Sequence, residues 1–147
     1  MLTNVGGEPV DPARDRPGLV VRTLLGATLA GTSGVALVLW GVRTLLANAP
    51  PSDRPVVTGP AFPLLIGGVI TAMLVAAGLA WWRLAPLTAT WRRGVFAMIS
   101  ALGTVVAALA ATPVHYFYGQ AGLLATAGIA ALVAAIALRP HATTPGT

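Results

Sequence analysis

Four long apolar runs, at residues 18–46, 62–82, 94–112 and 119–138, alternate with short polar interruptions. A helix needs about 20 mostly apolar residues to cross the hydrocarbon core of a bilayer, and each run is close to that length or beyond it. In the first run Arg22 and Arg43 bracket an uncharged stretch, residues 23–42, which as a helix covers about 30 Å. Both guanidinium groups can then reach opposite interfaces.

The interruptions punctuate the runs. Residues 1–17 carry Gly6, Gly7, Pro9 and Pro12 among mixed charges, too little apolar surface to order itself, so a flexible tail is expected with Pro17 at the first helical position. Residues 47–61 hold Pro50, Pro51, Pro55 and Pro60 around Asp53 and Arg54, which predicts a stiff, extended connector. Between the second and third runs stands a turn flanked by Trp81, Trp82 and Arg83 on one side and Trp91, Arg92 and Arg93 on the other. Pro113 is read as the stop of the third run, and Val114 to Tyr118 as a short connection. Runs three and four are therefore expected to close into a tight antiparallel hairpin. A second tail covers residues 140–147. The pattern predicts an all-α fold: one integral membrane four-helix bundle at residues 18–139, made of two antiparallel transmembrane hairpins.

Composition agrees. Hydrophobic residues make up 56% of the 147 and charged residues 9%, with a mean hydropathy of +0.80. A soluble domain carries about 25% charged residues, so the expected solvent is lipid. The net charge of +5 comes from nine arginines, without a lysine, against four acids. A clustered basic excess suggests nucleic acid, but these arginines sit at the ends of apolar runs, where membrane topology puts them. The bilayer is the expected partner, with no nucleic acid, and a second copy or a larger membrane protein is the macromolecular candidate. The absence of cysteine excludes disulfides, thiolate nucleophiles, iron–sulfur centres and cysteine-bound zinc.

Charge also orients the chain. One side collects Arg14, Arg16, Arg22, Arg83, Arg92, Arg93 and Arg139, against Arg43 and Arg54 on the other. Positive loops stay inside, which predicts an inner (cell) membrane protein with both termini and the 83–93 turn in the cytoplasm. Trp81, Trp82 and Trp91 then form an inner aromatic belt, and Trp40, Tyr116, Phe117 and Tyr118 an outer one. The small triplet Ala47, Asn48, Ala49 has the form of a signal-peptide cleavage site. The run before it is too long for a signal peptide and Pro50 follows it, so the chain is expected to stay uncut.

Helices in lipid associate through small residues spaced four apart, since no hydrophobic force acts between them. The expected stripes are Gly26, Ala30 and Gly34; Gly68, Ala72, Ala76 and Ala80; Ser100, Thr104, Ala108 and Thr112; and Gly122, Thr126, Ala130 and Ala134. A four-residue echo, residues 74–77 in residues 132–135, is too short to establish a duplication.

Chemistry is sparse. No acid, lysine or histidine lies inside a run, which disfavours carboxylate-driven transport and acid–base catalysis. The expectation is a non-enzymatic structural or accessory protein without a cofactor or metal, and a small oligomeric transporter or channel subunit is the alternative. For that alternative the polar lining is Ser100, Thr104, Thr112, Gln120 and Thr126. Arg83, Arg92 and Arg93 are candidates for gripping an anionic lipid or a partner, because a guanidinium meets phosphate or carboxylate bidentately. His115, with Tyr116 and Tyr118 beside it, is the candidate outer-face site, although a lone histidine lacks the companions that zinc requires.

Overall fold

The computed structural model describes residues 17–50, 59 and 61–140, and these form four helices: α1 (Pro17–Asn48), α2 (Ala61–Arg83), α3 (Thr90–Ala110) and α4 (Thr112–Ala137). Each is long and apolar enough to cross a membrane. The tails and most of the proline-rich connector expected from the sequence lie outside the described residues.

Helix α1 is the centre of the bundle. It packs against all three others, and 39% of its most apolar stretch is buried, against 11% for α2, 17% for α3 and 28% for α4. The physical reason is its run of small residues on more than one face. Gly31 meets α2 and α3 at once: a Cβ there would overlap the Thr104 hydroxyl and lie 2.9 Å from the Ala76 Cβ. Only a residue without a side chain lets three helices converge so closely. Ser33, on the α4 side, donates a buried hydrogen bond of 2.9 Å to the Ala127 carbonyl.

The expected stripes are largely the packed ones. Ala72, Ala76 and Ala80, Ser100 and Thr104, and Gly122, Ala130 and Ala134 are all buried. Leu74, Val75, Leu132 and Val133 face outward, so the two similar quartets each turn one alanine inward and their bulk to the lipid side. Differences fall on α1, where Gly31 rather than Ala30 takes the central contact, and on Thr112, which is exposed.

Two expectations are corrected. Runs three and four do not form a tight hairpin, because α3 and α4 make almost no contact although only Ala111 separates them. Helix α1 fills the space between them and supplies the small-residue surface that each requires. The connection at residues 114–118 is not a loop either, since α4 begins at Thr112 and is helical through it. Pro113 acts as a start and not only as a stop: in the first helical turn its missing N–H costs nothing. The break comes later, at Gly119, whose φ of 57° and ψ of −132° kink α4. Nothing lies within 4 Å of a Cβ built there, so backbone conformation rather than space calls for glycine. Helix α3 in turn starts at Thr90, which puts Trp91, Arg92 and Arg93 in its first turn.

Candidate functional site

Polar chemistry among the described residues gathers in three places, two at the ends of the bundle and one along its axis. At the end that holds the α2–α3 turn, α4 finishes with unpaired carbonyls, as every helix does. Arg22 donates to the Ile136 carbonyl at 2.8 Å and Arg83 to the Leu138 carbonyl at 2.7 Å. Two cations thus close the negative end of the α4 dipole. The remaining charge rests on tryptophan faces: Arg83 lies 5.7 Å from the Trp82 ring, Arg92 5.4 Å from Trp91 and Arg93 5.2 Å from Trp81. Arg93 also donates to the Thr90 hydroxyl at 3.0 Å. The arginines expected to hold a lipid or partner therefore have work within the chain, and Arg83 most of all. Its role as a cap for α4 was not visible in the sequence, since it bridges residues 55 positions apart.

Several threonine hydroxyls turn back on their own helices, whereas Ser33 bonds across to α4 and the Ser100 hydroxyl is buried without a partner. Thr32 donates to the Thr28 carbonyl, Thr71 to Gly67, Thr104 to Ser100 and Thr126 to Gly122, each at 2.8–2.9 Å. Such bonds satisfy a hydroxyl in lipid without a neighbour. Thr104 also reaches the Thr28 carbonyl of α1 at 3.5 Å. The five residues considered as a polar lining are not brought together. Ser100 is fully buried and Thr104 is sealed against α1, Thr126 stands half-buried on α4, and Thr112 and Gln120 are exposed.

The opposite end is built differently. The helices part there around a half-open cleft of about 430 Å³ whose lining comes from all four of them. Its floor is apolar, with Val35 and Leu123 buried, and its walls include Leu39, Val69 and Val105. Its polar lining residues are Arg43, Thr112 and His115. His115 is 9% exposed, and its Nδ1 is buried without a hydrogen-bond partner. Tyr116 and Tyr118, expected at its side, point away instead, at 83% and 71% exposed, and Tyr116 meets Phe117 edge to face at 5.6 Å. Sequence reasoning found His115 and missed its companion. The signal was present: Arg43 is the one arginine within an apolar run on the side that the charge bias leaves poor.

No cluster of His, Asp or Glu able to hold a metal ion exists among the described residues. The class that fold and geometry define is a multi-pass, all-helical membrane bundle of four spans. No family model, curated protein or solved structure matches the chain.

Proposed function

We propose that this protein is a structural or accessory component of the cell (inner) membrane, with both termini on the cytoplasmic side, that works by packing against itself or a larger membrane partner. The observation that carries the reading is the sealed axis, where Gly31, Ala76 and Thr104 meet with no room for a side chain between them. A carrier or pore within one copy needs a polar route along that axis. The Ser/Thr-lined path of an oligomer draws less support, because two of its five residues are fully buried while Thr112 and Gln120 are exposed and Thr126 is half-buried. Orientation rests on charge: Arg22, Arg83, Arg92, Arg93 and Arg139 share one end, and Arg43 stands at the other.

Outward surface supports association in the membrane plane. Between α3 and α4, above α1, runs a shallow groove of about 350 Å³ that includes Leu29, Ala107, Ile129 and Val133. The test is purification in mild detergent after cross-linking in intact membranes, beside flux measurements in liposomes. The accessory reading expects a stoichiometric membrane partner or a second copy and no flux. Flux that falls on Thr104→Leu would overturn it in favour of transport, and reporters fused at both termini check the orientation.

A further inference from the structure

The outer cleft has a polarity gradient that neither packing nor topology requires. Along α1 it runs from Val35 to Arg43, eight residues or about 12 Å deep. Leu123 and Val35 lie at the deep end, and Arg43, Thr112 and His115 at the mouth, near the α3–α4 turn. The volume of about 430 Å³ falls within the range of roughly 300–1,000 Å³ usual for ligand sites. At the other end of the bundle Arg22 and Arg83 are committed to α4 carbonyls and Arg92 and Arg93 to tryptophan faces, whereas Arg43 makes no hydrogen bond or ion pair among the described residues. An unspent guanidinium, a hydroxyl and a buried imidazole nitrogen without a partner therefore rim an apolar slot.

We propose that this cleft binds one chain of an anionic amphiphile, with Arg43 gripping its carboxylate or phosphate head and Thr112 and His115 completing the polar rim. Arginine suits the head group because its planar fork meets either anion with two parallel hydrogen bonds. The deep walls suit the tail because they offer it no polar competitor, and a chain lying there fills a volume that the helices leave open. A water-soluble anion would gain nothing from that depth, and a neutral lipid would leave the rim donors unpaired at a cost. Free fatty carboxylate and anionic phospholipid share the required chemistry. The assignment goes beyond the accessory reading and does not depend on which partner the bundle meets.

Trp40 supplies the reporter, since it lies one helical turn from Arg43 while Trp81, Trp82 and Trp91 stand at the far end. In the W81F/W82F/W91F protein, placed in phosphatidylcholine nanodiscs, Trp40 fluorescence is titrated with dibromostearate, dibrominated phosphatidylglycerol or dibrominated phosphatidylcholine. At least one anionic probe is expected to quench at about three- to ten-fold lower mole fraction than the neutral one. Which anionic probe wins identifies the source of the head group. Arg43→Gln should abolish the preference and Arg43→Lys retain most of it. Val69→Phe, which fills the slot and keeps the charge, should lose it too, so a folding defect in one variant does not decide the matter. Equal quenching by all three probes, or a preference that survives both Arg43→Gln and Val69→Phe, would overturn the proposal.

Discussion

The half of the bundle that holds the α2–α3 turn keeps a smaller cleft of about 240 Å³ beside Arg22 and Arg83, and the half that holds the α3–α4 turn opens into a wider, more apolar one of about 430 Å³. In the first half Ala76, Ala80, Leu84 and Ser100 are buried without remaining exposure, and two arginines tie down the end of α4. In the open half the same four helices part around Arg43 and His115. Alanine and hydroxyl residues close contacts in the first half, and Leu and Val dominate the cleft walls in the second, where Gly34 on Ala72 and Gly68 on Val38 still hold α1 and α2 together. Small residues allow backbones to approach, and large ones hold them apart. The contrast teaches that close packing along α1 need not close the bundle from end to end, which leaves one small bundle room for a site.

The largest effect is expected where the seal is tightest. Ala76→Leu forces a leucine into the contact with Gly31 and should cost about 1–3 kcal/mol or abolish folding. Val75→Leu, on the lipid side of the same turn, should stay within about 0.5 kcal/mol. Thermal unfolding in detergent, followed by circular dichroism, compares them, and equal tolerance would refute the seal. Next comes the arginine cap. Arg83→Ala removes the charged donor to the Leu138 carbonyl and should lower stability by about 1–2 kcal/mol in the same assay, with Arg92→Ala near neutral.

Gly119→Ala is expected to cost about 1 kcal/mol, because the kink needs a positive φ and not free space. Were it silent, α4 would tolerate a straight helix and the open half would not depend on its bend. The smallest effect belongs to the cleft itself. Val105→Leu adds a methylene where the helices already stand apart, so the unfolding temperature should scarcely move. A loss like that of Ala76→Leu would mean that the cleft closes in the membrane and that the two halves do not differ.

Much of this was legible in the sequence because it is local. The four spans, the stripes on α2 and α4, the burial of Ser100 and Thr104 and the isolation of His115 as a candidate all follow from residues within one or two helical turns. Pro113 misled because proline carries the same signature after a helix and at the start of the next, and the choice depends on whether the following residues pack as a helix. The cap that Arg83 forms was not legible because a basic residue at a membrane interface serves topology or lipid equally well, and its carbonyl partner, Leu138, is remote in the chain.

Sequence by itself determined that the chain is a four-span helical membrane bundle, since span length and apolarity are properties of each segment alone and lipid leaves the backbone few other ways to pair its own hydrogen bonds. Only the tertiary structure decided that α1 is the centre, that α3 and α4 stay apart, and that Arg43 and His115 share a cleft. Those outcomes depend on which small surfaces meet: Gly31 accepts Ala76 and Thr104 together and Gly34 accepts Ala72, whereas Leu39, Val69, Val105 and Leu109 wall the cleft beyond them.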